Sequence, residues 1–129
     1  NTTVIFKTND DIDLKYILAL LNSKLLNFYH HKIAKQTGGG VYEYVPNVVG
    51  KLPVHIVDIN NKDDKEMHDK IVMLVDNIIA LNKKLSVEKN PNSITMLNRQ
   101  INAVDKQIDA LVYKLYNLND EEVKIIEGE

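Results

Sequence analysis

A chain of 129 residues with 44% hydrophobic and 26% charged side chains has the composition of one ordinary globular domain, with or without a helical appendage. Its formal net charge of −2 excludes a globally basic nucleic-acid binder, and the absence of Cys excludes disulfides, thiolate nucleophiles and cysteine metal sites. The charge is unevenly spread: residues 1–60 carry six Lys against five acids and three of the four His, so an anion-facing surface is expected in the first half.

The opening "TTVIFKT" is β-branched and aromatic and predicts a strand. It lacks the basic and apolar regions of a signal peptide, and a start without Met inside a strand-like run is expected of a piece of something longer. "NDDID" offers N-cap residues, Asp11 or Asp13, for a helix over about 14–35 whose apolar stripe includes Leu14, Ile17, Leu18, Leu21, Leu25, Phe28 and Tyr29. Lys15, Asn22, Ser23, Lys24 and Asn27 interrupt that stripe, so no membrane span is expected. A chain without Cys is compatible with the cytoplasm, which is the expected location. Gly38, Gly39 and Gly40 are expected to stop the helix. "VYEYV" and "VHIVDI" predict further strands on either side of a turn-rich "PNVVGKLP". The expected architecture is therefore α+β: a small α/β unit over 1–60, then a helical region over 61–129.

The second half reads more simply. Met67, Ile71, Leu74, Ile78, Leu81 and Leu85 recur at heptad spacing, as do Ile94, Leu97, Ile101, Val104, Ile108, Leu111, Leu115 and Leu118. A Pro91-containing turn joins the two seams, so residues 64–86 and 93–118 are expected to form an antiparallel hairpin. Val72, Val75, Ile79, Val112 and Tyr116 fall outside the seams and leave apolar surface for neighbouring domains or for self-association of the isolated chain. "NDEE" predicts a capping box, Asn119 with Glu122, opening a short last helix.

No catalytic constellation is present, so no enzymatic activity, catalytic residue or metal is assigned to this chain. His30 and His31 are adjacent, roughly 100° apart on a helix, and are read as ordinary helix-end histidines, exposed or half-buried. His68 follows Asp64 at i+4, which would allow a metal pair, but among Asp64, Glu66 and Asp69 it is read as part of a solvated charged face. "TGGGVY" lacks the Gly-Lys-Ser/Thr of a phosphate loop. One patch keeps a second reading open. In "HHKIAKQTGGGVYEYVP", Lys32, Lys35, Gln36 and Thr37 can meet phosphates or bases, and Gly38, Gly39 and Gly40 permit close backbone approach. Tyr42 and Glu43 can enter a groove, with Glu accepting from a cytosine amino group. The bland alternative is a helix C-terminus with basic residues favoured by its dipole.

The run "LKYILALLNSKLLNFYHHKIAKQTGGGVYEYVPNVVGKLPV" and the ending "QIDALVYKLYNLNDEEVKIIEG" resemble the TaqI-like C-terminal specificity domain. This is the target-recognition part of type IIG restriction–modification enzymes and related adenine DNA methyltransferases. The resemblance rests on "LLNSKL" at 20–25, "LPV" at 52–54 and "IDALVYKLYNL" at 108–118. Asn117 stands where the family commonly has Gly, and Asn119 where Thr is common; Asn tolerates the left-handed conformation and can cap. The resemblance implies that residues 1–60 are the C-terminal portion of a DNA target-recognition domain and 61–129 a spacer and docking region. The implied function is to direct an adenine methyltransferase, with or without a nuclease, to its site on double-stranded DNA. The chain itself would need no cofactor; S-adenosylmethionine, and Mg for cleavage, would belong to the parent enzyme, whose methyltransferase domain is the implied partner. The alternative is a structural helical assembly or oligomerisation module without DNA contact.

Overall fold

The computed structural model describes residues 12–34 and 36–128, with the side chains of all of these but 36–38 and 41. The expected first strand, "TTVIFKT", lies outside the described residues. The described residues form six α-helices in chain order: α1 (Leu14–Asn22), α2 (Lys24–Ile33), α3 (Pro46–Val49), α4 (Lys62–Val87), α5 (Pro91–Leu115) and α6 (Asp120–Glu127). The only ladder among the described residues is a hairpin of two-residue strands, β1 (Gln36–Thr37) and β2 (Val41–Tyr42), inserted between α2 and α3. The expected α+β class is therefore corrected: the described residues form no α/β unit, and the fold is helical.

Three features explain why. First, the apolar run 14–33 is two helices, not one. Ser23 adopts extended backbone (φ −65°, ψ 153°), ends α1 and caps α2, its Oγ donating to the Leu20 carbonyl (2.6 Å) and accepting from Leu26 N (3.2 Å). The free Lys24 amide at the start of α2 donates to the buried Asp109 carboxylate of α5 (3.0 Å), which stabilises the break. Second, the expected strand "VHIVDI" forms no ladder among the described residues, and its last residue, Ile59, lies in a turn. Its neighbourhood is held by two tyrosines instead: Tyr16 Oη donates to the His55 carbonyl (2.9 Å), and His55 N donates to Tyr116 Oη (2.8 Å), which itself donates to the Pro53 carbonyl. Third, the glycines do not stop a helix. α2 ends at Ile33, where the Ala34 amide closes on the His30 carbonyl, and Gly38–Gly40 form the turn of the small hairpin.

α4 and α5, 26 and 25 residues long, form an antiparallel arm of about 39 Å. Asn61 and Asn90 cap them through side-chain acceptors, and Pro91 takes the first position of α5, where its missing amide costs nothing. Near the arm's base, Ile71, Leu74 and Val75 of α4 and Ile108 and Val112 of α5 share one core with Tyr16, Ala19 and Leu20 of α1, Leu26 of α2, and Val57. Val75 and Val112, free in the heptad reading, are thus covered by this chain's own first helices. Toward the turn, none of the described residues covers the arm: Ile78, Leu81, Leu85, Ile94, Leu97 and Ile101 are only half-buried, and Met96 and Val87 are exposed.

α5 ends in a Schellman motif, with Leu118 N bonding to the Tyr113 carbonyl and Asn117 N to the Lys114 carbonyl. Asn117 sits at φ 54°, the left-handed conformation that Gly would adopt there without strain. Asn119 and Glu122 form the reciprocal capping box that opens α6. His68 is buried and structural: Asp13 N donates to its Nε2 (3.2 Å) and its Nδ1 faces Asp69 (3.0 Å), so the expected solvated face is corrected for His68 itself, while Glu66 and Asp69 beside it are exposed. Among the described residues, no helix is long and apolar enough to cross a membrane.

Candidate nucleic-acid interface

The patch singled out in the sequence is built on the last turn of α2 and the β1–β2 hairpin. α2 turns Leu26 and His30 into the protein and leaves His31 and Lys32 exposed. The chain then reverses: Gln36 pairs with Tyr42 and Thr37 with Val41 in antiparallel register. A three-glycine turn closes the hairpin, with Gly39 at φ 82° and Gly40 at φ 79°. L-residues rarely adopt those angles, so backbone geometry requires both glycines; at Gly39 space sets no limit, since a Cβ there would meet nothing within 4 Å.

Two aromatic stacks fasten the hairpin to the helix. His31 lies on Tyr42 with ring centroids 4.0 Å apart and planes 12° apart. His30 lies on Tyr44 at 4.0 Å and 9°. Consecutive helix residues thus meet alternate residues of the returning strand. Tyr44 is fixed a second time, its hydroxyl donating to Asn27 Oδ1 (2.8 Å), while Asn27 Nδ2 donates to the Ser23 carbonyl (3.0 Å). The hairpin is therefore tied back to the Ser23 break.

His30 is 1% exposed, and neither ring nitrogen has a hydrogen-bond partner among the described residues. Its burial pushes the imidazole pKa below the ordinary histidine value; His31 pushes the same way, and the Glu43 backbone opposes both. His30 is accordingly neutral at pH 7, packed as an aromatic.

The sequence-derived residues separate into groups. Lys32 is exposed beside the hairpin, its Nζ 5.1 Å from the Phe28 ring centroid, a cation–π contact that leaves the ammonium in solvent. Glu43 is exposed, and so are Gly39 and Gly40 at the tip. Tyr42 is half-buried under His31, so its ring face is occupied. Gln36 and Thr37 are placed by their backbone on β1, opposite Tyr42 and Val41, and Gly38 opens the turn. Lys35 lies outside the described residues. His30, His31 and Tyr44 were not among the site residues expected from sequence; His31 is an exposed helix-end histidine as read, and the reading is corrected for His30, which is buried. The signal was the pair "HH" followed by "YEY", two neighbours on a helix and two same-face residues on a strand. Among the described residues, no three His, Asp or Glu side chains converge on a point where a metal ion could sit.

The quoted motifs meet in space. "LLNSKL" contains the Ser23 break, and "IDALVYKLYNL" supplies the Asp109 carboxylate that receives the Lys24 amide. The same segment supplies the Tyr116 hydroxyl that grips the backbone around "LPV". Burial raises the Asp109 pKa, and the Lys24 amide counters that effect.

No curated protein and no solved structure matches the chain. A family model does: that of the TaqI-like C-terminal specificity domain, over residues 1–54. The matched stretch holds α1, α2, the hairpin and "LPV", and ends before "IDALVYKLYNL". The TaqI-like C-terminal specificity domain is thus the family whose model residues 1–54 match, and the resemblance read from the sequence is borne out over that stretch.

Proposed function

We propose that the chain is a DNA sequence-specificity module of a restriction–modification enzyme and that the β1–β2 hairpin is its DNA-facing element. The match of residues 1–54 to a specificity domain carries this reading. The geometry supports it: the glycine tip and Glu43 are exposed on a hairpin fastened by two ring stacks to α2, whose last turn carries the exposed Lys32. Lys32 and Lys35 would meet phosphates and set register, the Gly38–Gly40 backbone would approach the duplex closely, and Glu43, Gln36 and Thr37 would read base edges. Residues 61–129 would serve as spacer and docking surface. The chemistry would belong to the parent's methyltransferase domain, which would hold S-adenosylmethionine and flip out the target adenine.

The test is duplex binding by fluorescence anisotropy across a salt series. Wild-type chain should prefer a duplex enriched from a randomised pool over a scrambled one. Lys32→Ala should weaken binding to both, lowering the salt slope by about 0.9 because one phosphate is no longer neutralised. Duplex binding without sequence preference, or a Lys32→Ala slope equal to wild type, would refute the assignment.

The arm favours a second reading, helical assembly without DNA contact. Met73, Met96 and Val87 are 57%, 59% and 76% exposed along it. Self-association in sedimentation together with no DNA binding would select that reading.

A further inference from the structure

We infer that His31 is a positioning residue for base discrimination: its stack on Tyr42 sets the pitch of the hairpin, so that truncating it loosens recognition without weakening the grip on phosphates. The inference rests on the functional reading above. Its structural half stands independently.

The hairpin has little of its own to hold it. Two-residue strands joined by three glycines form a ladder too short to be stable in water. Gly39 and Gly40 add backbone freedom that must be suppressed if Glu43 is to point in one direction. The restraint comes from outside, at two points. Tyr44 is held by His30 and Asn27 on the α3 side of the hairpin. Tyr42, one residue from Glu43 and paired across the ladder with Gln36, is held by His31. One stack alone leaves the hairpin free to swing about the Tyr44 anchor; the second removes that rotation. The two histidines differ in a way that makes the experiment clean. His30 is buried in the protein and its loss would disturb packing, whereas His31 is exposed, so its truncation removes the stack and leaves the core intact.

His31→Ala and His31→Phe separate positioning from structure. Phe keeps a flat ring for Tyr42 and removes both nitrogens. The first readout is amide hydrogen exchange of residues 36–44 in the chain without DNA. Exchange should quicken about tenfold in His31→Ala and return toward wild type in His31→Phe, with the melting temperature of the whole chain unchanged. The second readout is the ratio of affinities for the enriched and scrambled duplexes. It should fall about tenfold in His31→Ala and recover in His31→Phe, while affinity for the scrambled duplex and its salt slope stay at wild-type values.

Unchanged exchange in His31→Ala overturns the inference, as does an equal loss of affinity for both duplexes. If exchange responds as expected but the wild-type chain binds no duplex, the latch stands and the DNA-recognition reading fails. If the wild type discriminates and His31→Ala discriminates equally well, the DNA reading stands and the positioning role fails.

Discussion

Removing one oxygen atom from Tyr116 tests how this chain holds the segment around His55 without a sheet. Tyr116 Oη accepts from His55 N at 2.8 Å and donates to the Pro53 carbonyl, so Tyr116→Phe deletes both bonds and nothing else. His55 is half-buried and Pro53 exposed; water replaces the partner of the Pro53 carbonyl readily and that of the His55 amide less so. The expected cost is about 1–2 kcal/mol, at the lower end for an orphaned partly buried pair. For a chain of this size that is a fall in melting temperature of about 3–8 °C. Tyr16→Phe removes one donor from the His55 carbonyl at 2.9 Å, from a side chain with no exposure, and should cost about 1 kcal/mol. Burial raises the pKa of both phenols, so each keeps its proton in neutral solution and remains a donor. Because both hydroxyls grip His55, the double variant should cost less than the sum of the singles, with a coupling of about 0.5–1 kcal/mol. Urea titrations followed by circular dichroism on the four proteins give the cycle. Additivity within about 0.3 kcal/mol would show that the two tyrosines act on independent parts of the segment and refute the shared-clamp account.

Ile71→Ala, at a fully buried position, should cost about 2–5 kcal/mol in the same urea assay, whereas Ile101→Ala, half-buried beyond the cover of α1, should cost about 1–2 kcal/mol. Acid should destabilise the chain through His30: its pKa is depressed in the folded state, so the unfolded chain binds the proton first and stability falls as pH drops below about 6.5, the ordinary histidine value. His30→Phe should flatten that part of the stability profile below about pH 6.5, measured as the difference from wild type; an unchanged pH slope would contradict the neutral, stacked role of His30.

The sequence alone determined the features whose causes are local. Heptad seams fix two helices and the face each presents, because the repeat is a property of the helix itself. The Asn119–Glu122 capping box and the left-handed turn at Asn117 are likewise set within four residues, so both were legible, as was the likeness to a specificity domain over residues 1–54. Tertiary structure decided the rest. The stripe from Leu14 to Ile33 reads as one helix, and it breaks at Ser23 because Asp109, 85 positions from Lys24, accepts the amide that the break exposes. "VHIVDI" has the composition of a strand, but a strand needs a neighbour, and tyrosines 39 and 61 positions from His55 supply its bonds instead. At the candidate site the sequence marked Lys32, Glu43 and the glycines from residue type. It did not mark His30, His31 and Tyr44, whose role exists only once the chain has reversed and laid two tyrosines against two histidines. Charge and backbone freedom belong to single residues and can be read one at a time; a stack belongs to a pair, and the fold brings the pair together.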